Sequence, residues 1–304
     1  SSFNINNFTK YTMSLLDKTN LLITPNAVKA GKLYSVIPSN GTGDCTVVRN
    51  TTATRVNSSG LIEIVAVNIP RINYLTSGGI PFILDEPQKT NSFLRSEEFE
   101  NSFWFKSNAA ITSNQLLSPS NTLTADLLTS TSANGLIAVF NSWSAQQKTA
   151  SVFVKKNTSN NFVIANGSIT GTGVIFDLVN GTIVSTQSGF VGKIESYGNS
   201  YFRCSVTHTA TGNQTIILQV PTSGESVFIW GAQLELGGSA TSYVPTVASA
   251  ITRNADVITV SPPAGTVKIT TTFSDDTNQV ITSIPALFTL PEGLIKQVLM
   301  QSSL

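Results

Sequence analysis

His208 is the only histidine in the chain, so it is the first residue to consider for nucleophilic or metal chemistry. A serine hydrolase would need this imidazole beside a nucleophilic serine, but the sequence lacks the G-x-S-x-G nucleophile elbow. One histidine without a neighbouring cysteine or acid cluster also provides no donor set for zinc. We therefore interpret His208 as a structural residue, and we expect no metal ion and no cofactor.

Paired carboxylates are the remaining candidates for catalysis, because glycoside hydrolysis uses two of them. The candidate pairs are Asp85 with Glu86, Glu97 with Glu98, and Asp275 with Asp276. Adjacent residues of a strand point to opposite faces, and acids at a helix start or in a turn stabilise that local structure. We therefore predict that the chain is not an enzyme, and a polysaccharide depolymerase is the most distant alternative.

Exposed aromatic rings could bind a glycan by stacking on the apolar faces of its sugar rings. Trp143 lies in the polar run N-S-W-S-A-Q-Q and is the first candidate, and Tyr197 and Tyr201 come next. A solitary tryptophan in a turn can equally serve packing, so both interpretations of Trp143 stay open. Trp230 alternates with other apolar residues and is predicted to lie in the core.

The composition favours an all-β protein with few surface charges. Only 12% of the residues are charged and the net charge is +1, which gives no electrostatic basis for binding nucleic acid or a membrane surface. No apolar run reaches the ~18 residues that span a bilayer, and the N-terminus lacks a signal-peptide pattern. We expect a soluble protein, without membrane insertion, whose hydroxyl- and amide-rich surface suits extended β assemblies.

Two-residue alternation predicts the strands that carry the core. Phe202, Cys204, Val206 and His208 share one face of a strand, with Cys204 as a buried thiol. The second such strand is predicted to place Gln233 and Glu235 opposite the apolar set Phe228, Trp230, Ala232, Leu234 and Leu236. Strands with one apolar face need partners to close a core, and a β-sandwich is the simplest solution. The far-separated Cys45 and Cys204 do not form a disulfide framework.

Turn signals and composition divide the chain into four segments. We predict an N-terminal arm over residues 1–24, a small β-rich subdomain over 25–91, a jelly-roll β-sandwich over 92–258 and a small C-terminal β module over 262–304. Within the sandwich, Asn180-Gly181 predicts a type I′ hairpin turn. Residues 95–104 predict a short helix or turn that Ser96 caps.

Apolar residues near both termini predict association with other chains. The arm contributes Phe3, Ile5 and Phe8, and the C-terminal segment contributes Leu294, Ile295, Val298 and Leu299. Apolar side chains in such small segments need a partner surface. A frayed terminus remains the alternative interpretation of the arm.

Several sequence motifs resemble those of structural proteins of tailed bacteriophages and prophages. The runs Y-F-R-C-S-V-T, I-W-G-A-Q-L-E, S-Y-V-P-T and T-R-N-A-D lie between residues 198 and 256, and L-D-E-P-Q-K-T-N begins at Leu84. Further similar runs are N-A-V-K-A-G-K-L-Y-S-V-I-P and T-T-A-T-R-V-N-S-S-G-L-I-E, so the resemblance covers most of the chain. In that family the closing runs belong to a jelly-roll domain similar to carbohydrate-binding modules.

The resemblance implies a virion structural protein, a fibre or decoration subunit of head or tail, assembled in the host bacterial cytoplasm. Its partners would be two further copies, giving a homotrimer, and a neighbouring capsid or tail protein. The alternative that it implies is a carbohydrate-recognition module that contacts host-surface glycans. Carbohydrate-binding modules often hold calcium in a loop, but no D-x-D-x-D run is present here.

Overall fold

The computed structural model describes residues 18–40, 44–75, 78–167 and 173–303, without the side chains of residues 141–145 and 210–214. Antiparallel strands dominate this part of the chain and no α-helix occurs in it, so the predicted all-β sandwich class is confirmed. One short 3-10 helix spans Gly198–Ser200. No helix in the described ranges has the length and apolarity needed to cross a membrane.

The strands fall into three consecutive groups along the chain. The first group is β1 (Thr19–Lys29), β2 (Lys32–Ile37), β3 (Thr46–Val48), β4 (Ala53–Val56), β5 (Ile62–Val65), β6 (Arg71–Tyr74), β7 (Pro81–Asp85) and β8 (Lys89–Asn91). The second is β9 (Phe105–Ser107), β10 (Ala109–Leu117), β11 (Leu123–Ser130), β12 (Gly135–Lys156), β13 (Asn161–Asn166), β14 (Val174–Asp177), β15 (Thr182–Thr186), β16 (Phe190–Tyr197), β17 (Tyr201–Val220) and β18 (Ser226–Leu236). The third is β19 (Ile251–Arg253), β20 (Val257–Val260), β21 (Thr266–Phe273), β22 (Asn278–Ile281), β23 (Phe288–Thr289) and β24 (Gly293–Ser302).

Two long strands, β12 and β17, connect the sheets of a central sandwich. They contain 22 and 20 residues and pair antiparallel from Gly135 opposite Val220 to Val154 opposite Phe202. One end of this pair lies between β9 and β13, and the other end lies between β18 and β16. The pair therefore takes part in both sheets, β9-β12-β17-β13-β14-β15 and β10-β11-β18-β12-β17-β16. Alternation in the sequence predicts separate strands over residues 135–140 and 150–155, and over 202–208 and 215–220, where the structure has one continuous strand each.

The core of the central sandwich contains residues from both sheets. Cys204 and Val206 of β17 pack there with Val152 of β12 and Phe162 of β13, and Phe202 is partly buried against them. This confirms the predicted inner face of β17. Cys204 carries a free, fully buried thiol, as the alternation predicted.

A bulge in β18 corrects the predicted faces of that strand. Gly231 has φ +64°, and the register with β12 shifts between Ser151 and Phe153, so one extra residue enters β18 at this point. Ala232 consequently faces the main core, whereas Trp230 is buried on the opposite face, in a second cluster. The prediction that Trp230 is buried is confirmed, but the prediction that it shares a face with Ala232 is wrong.

The N- and C-terminal segments together form a flanking sandwich. Strand β24 pairs with β1, β7 and β21, which places residues from both ends of the chain in one sheet, and β3, β20 and β23 form a second sheet. Residues 19–24, predicted as part of an arm, belong to β1, because Leu21 and Ile23 are fully buried in this core. The segments predicted as a subdomain over 25–91 and a module over 262–304 therefore share one sheet.

The apolar C-terminal residues pack inside this same chain. Ile295 and Val298 are fully buried in the core of the flanking sandwich, Leu299 is buried and Leu294 is half-buried. The partner surface that their sequence requires is supplied by the N-terminal strands of the same molecule. Phe3, Ile5 and Phe8, predicted as assembly residues of the arm, lie outside the described residues.

Two local predictions differ from the structure in their turn geometry. Asp177 pairs with Thr182, so the β14–β15 hairpin is confirmed, but four residues connect the strands and only Gly181 among them has a positive φ. A type I′ turn would need a positive φ at Asn180 as well, so the predicted turn type is wrong. Residues 95–104 form successive turns without a helix, since each turn closes by a bond from residue i+3 to residue i.

Candidate functional site

The β4–β5 hairpin is a separate two-stranded sheet that is hydrogen-bonded to Asn73 of β6 in the flanking sandwich and docks onto the central sandwich. Ile62 at its end is buried among the rings of Phe153, Tyr201, Trp230 and Tyr243. The backbone N–H of Ile62 donates to the carbonyl of Pro119 at 2.9 Å, and that of Gly198 donates to Gly60 at 3.0 Å. Apolar burial and backbone hydrogen bonds therefore fix the two sandwiches against each other.

Residues 237–256, named here the linking segment, lie between the two sandwiches. Its Thr241 donates to the buried carboxylate of Glu235, from the hydroxyl at 2.7 Å and from the backbone N–H at 3.1 Å. The N–H of Val244 donates to the side-chain oxygen of Gln233 at 2.7 Å. Gln233 and Glu235 are thus buried on their face of β18 because they satisfy the backbone of an irregular segment.

The region where the two sandwiches meet is named here the junction. An ionic network of three arginines and two carboxylates lies at its centre. Arg49 lies 2.8 Å from Asp256 and Arg71 lies 2.8 Å from Glu86. Arg71 also contacts Asp256, and Arg253 approaches Glu86 to 3.3 Å. All three guanidinium groups and the Asp256 carboxylate are essentially inaccessible to solvent. Such groups tolerate burial because each is paired and hydrogen-bonded.

The environment of Glu86 favours the ionised form of its carboxylate. Burial by itself would raise the pKa of Glu86, but the charges of Arg71 and Arg253 and two hydrogen bonds from Ser242 outweigh it and hold the pKa below its ordinary value. The Ser242 hydroxyl donates to Glu86 at 2.6 Å and its N–H donates at 2.9 Å. A carboxylate held in this way is a poor proton donor near neutral pH.

Asp85, next in the chain to Glu86, has the opposite environment. Burial, followed by the nearby charges of Asp256 and Glu292, raises the pKa of Asp85 to about 8. Its side chain is buried, and one of its carboxylate oxygens has no hydrogen-bond partner. Asp85 is therefore protonated at neutral pH, while Glu86 is ionised.

The other predicted acid pairs are also engaged in local structure. Glu97 accepts a hydrogen bond from the Tyr243 hydroxyl at 2.9 Å, and Glu98 pairs with Arg95 at 2.8 Å. Asp275 accepts from Thr277 at 2.7 Å, and Asp276 pairs with Lys296. The geometry therefore assigns these carboxylates to turns and ion pairs.

His208 packs at the end of the central core. Its ring stacks on Phe190 with centroids 4.2 Å apart, and its Nδ1 lies 3.0 Å from the amide nitrogen of Asn166. Burial lowers the pKa of His208 below its ordinary value. Among the described residues, no group of three or more His, Cys, Asp and Glu side chains is arranged to hold a metal ion.

A groove of about 480 Å³, named here the junction groove, opens between the sandwiches beside the β4–β5 hairpin. Residues of both sandwiches line it: Val56, Gly60, Asn73, Tyr74, Leu75, Glu195, Ser196, Tyr197 and Gly198. A smaller cavity of about 130 Å³ shares Val56, Asn73 and Tyr197 with it and reaches Arg203 and Thr241. This is the place where polar side chains of both sandwiches converge on open space.

The three predicted glycan-binding residues lie in different environments. Tyr197 lines the junction groove, with its ring edge-on to Phe153 at 4.9 Å between centroids. Tyr201 is completely buried, so its ring has no free face for a sugar. The side chain of Trp143 lies outside the described residues.

The sequence analysis predicts no site at the junction, although several of the junction residues stand in the motifs that it singles out. Glu86 belongs to L-D-E-P-Q, Ser242 to S-Y-V-P-T, and Arg253 and Asp256 to T-R-N-A-D. The two-residue alternation of a strand accounts for the apolar residues of these runs, but it gives no reason for their charged residues. These charged residues meet in one buried cluster, which accounts for their presence at segment ends.

Neither a scan against protein-family models nor a search of curated proteins finds a match to this chain.

Proposed function

We propose that the chain is a structural protein of a tailed-phage virion, a fibre or decoration subunit that assembles with itself and with a neighbouring virion protein. The observation that carries this proposal is the buried ionic network, which joins two β-sandwiches into one block. Three of its five residues, Glu86, Arg253 and Asp256, lie in the motifs that resemble phage structural proteins. The carboxylates of the network, Glu86 and Asp256, are ion-paired with arginines.

Uncharged strand edges further support a role in assembly. Strands β10 (A-A-I-T-S-N-Q-L-L) and β15 (T-I-V-S-T) each form one edge of a sheet of the central sandwich. Neither contains a charged residue or proline, the features that usually prevent edge-to-edge association. We propose a homotrimer in which such edges and the low surface charge allow copies to lie side by side.

Solution mass and virion labelling test this proposal. Light scattering on the purified chain should give a mass near three times 32.3 kDa. Antibodies raised against the chain should label particles released by the bacterial strain that carries the gene, as seen by immunogold electron microscopy. A monomer at every concentration would contradict the trimer, and unlabelled particles would contradict the virion role.

Recognition of host glycans is the second candidate function, and one observation favours it. Tyr197, named from the sequence as a glycan ligand, lines a groove that both sandwiches build. Trp143→Ala tests the other candidate ring, since loss of glycan binding in that variant would place the site in the N-S-W-S-A-Q-Q run instead.

A further inference from the structure

We propose that the junction groove binds a neutral, hydroxyl-rich ligand, an oligosaccharide of the bacterial surface without acidic sugars. This inference names the ligand class and the site for the glycan-recognition role given above, and it rests on that role.

The groove is preformed because its two walls are fixed to each other. The N–H of Gly198 donates to the carbonyl of Gly60 at 3.0 Å across the groove floor. A side chain at Gly198 would bring its Cβ to 2.3 Å from that carbonyl oxygen, so the close approach requires glycine. The side-chain oxygen of Asn73 accepts a hydrogen bond from the N–H of Val56 at 2.8 Å, which fixes the orientation of Asn73 in its wall of the groove. A rigid groove loses little entropy when a ligand binds.

The charge of the groove lining disfavours an acidic ligand. Glu195 is the one charged residue among the described residues that line the groove, and it pairs with Lys193 at 2.7 Å. Of the arginines beside the smaller cavity, Arg55 is paired with a carboxylate of the same hairpin. Arg203 is buried and donates to the carbonyl of Thr241 at 2.6 Å and to the hydroxyl of Ser151 at 3.0 Å. A carboxylate in the groove repels an acidic sugar and accepts hydrogen bonds from hydroxyl groups.

The surfaces facing the groove combine rings with hydrogen-bonding groups. Tyr74 and Tyr197 are half-buried, and Leu75 is 53% exposed at the rim. Burial raises the pKa of Tyr197 and the nearby charge of Arg203 opposes that shift, so the hydroxyl stays protonated and can donate to a ligand. The Glu195 carboxylate offers acceptors, because its exposed ion pair with Lys193 is broken at little cost. Apolar faces bordered by donors and acceptors match a sugar ring, which has apolar faces and hydroxyls at its edge.

An oligosaccharide array with neutral and uronic-acid-containing bacterial glycans tests the proposal, followed by titration calorimetry on any glycan that binds. We expect binding of a neutral glycan that changes little between 50 mM and 500 mM NaCl. Tyr197→Phe, which removes only the hydroxyl, and Glu195→Ala should each weaken it by about tenfold or more. Lys193→Ala is the matched control, because it breaks the exposed ion pair without touching the groove, and should change binding by less than about twofold.

Three outcomes would overturn the inference. One is no binding to any glycan on the array. The second is binding restricted to acidic glycans with strong salt dependence. The third is binding that Trp143→Ala abolishes while Tyr197→Phe and Glu195→Ala leave it intact. In each case a trimeric mass and labelled virions would still support the structural role, so failure of the two proposals can be distinguished.

Discussion

Asp256 accepts hydrogen bonds from two arginines and from the chain backbone. Its carboxylate oxygens accept hydrogen bonds from the Arg49 guanidinium at 2.8 Å, from the Arg71 guanidinium, and from the backbone N–H of Glu86 at 3.1 Å. Both arginines are fully buried; Arg49 has its ion pair with this carboxylate, and Arg71 shares its charge between Asp256 and Glu86. A single side chain thus stabilises segments that are far apart in the sequence.

Asp256→Asn should lower the free energy of unfolding by about 3–5 kcal/mol, because removal of one buried partner leaves charges uncompensated. Urea unfolding followed by tryptophan fluorescence measures the change. The matched control is Glu63→Gln, which breaks the partly exposed pair with Arg55 and should cost about 1 kcal/mol or less. Equal effects of the two substitutions would contradict the importance of the buried network.

Asp85→Asn should change how stability depends on pH. The folded-state pKa of Asp85 is about 8, well above its ordinary value, so its contribution to stability is complete below pH ~4 and decreases as the pH rises toward 8. The slope reaches at most about 1.4 kcal/mol per pH unit in this window. An asparagine does not ionise, so the variant should gain stability relative to the wild type between pH 4 and pH 8. Parallel stability curves for the two proteins across this range would refute the assignment.

The bulge in β18 determines which face of the strand each residue occupies. Trp230 and Gln233 lie on the same face because of the extra residue at Gly231, and without it they would lie on opposite faces of the strand. Trp230 would leave the ring cluster that receives Ile62 from the flanking sandwich. A single backbone irregularity therefore couples the central sandwich to its neighbour.

Gly231→Ala should destabilise the protein more than Gly224→Ala. Both glycines have positive φ, +64° and +80°, so both alanines incur a similar backbone strain. A Cβ at Gly231 would lie 3.0 Å from the Phe153 ring and 3.3 Å from Tyr243, whereas nothing lies within 4 Å of one at Gly224. We expect an additional loss of about 1–3 kcal/mol for Gly231→Ala in denaturant unfolding. A smaller loss for Gly231→Ala than for the control would exclude this packing argument.

The two sandwiches form one cooperative block because three kinds of contact join them. These are the ionic network, the linking segment and the insertion of Ile62 into the rings of the central sandwich. The chain also enters the flanking sandwich, leaves it for the central one and returns. Unfolding of either sandwich therefore removes contacts from the other.

Differential scanning calorimetry should show a single unfolding transition for the whole chain. Ile62→Ala removes apolar contacts at the junction and should lower stability by about 2–5 kcal/mol, with broadening or splitting of the transition. Ile64→Ala, two residues further along the same strand and 70% exposed, is the control and should leave the transition unchanged. Two transitions in the wild-type protein would show that the sandwiches unfold independently.

Local pattern alone was enough to predict the class of fold and much of the strand content. The β14–β15 hairpin occurs where Asn180-Gly181 predicted a turn, and the buried thiol of Cys204 follows from its place in an alternating run. These features depend on near neighbours in the chain, since a strand with one apolar face has a period of two residues.

Only the tertiary structure decided the pairing of β1 with β24, the exchange of faces at Gly231 and the convergence of charges at the junction. Thr19 pairs with Gln301, and Arg49 meets Asp256 across 207 residues of sequence. Strand partners and buried ion pairs depend on which distant surfaces come together, and a one-residue bulge reverses the face of every residue after it. Such information resides in contacts between segments, so neither the shared sheet of the two termini nor the junction groove could be inferred from periodicity and composition.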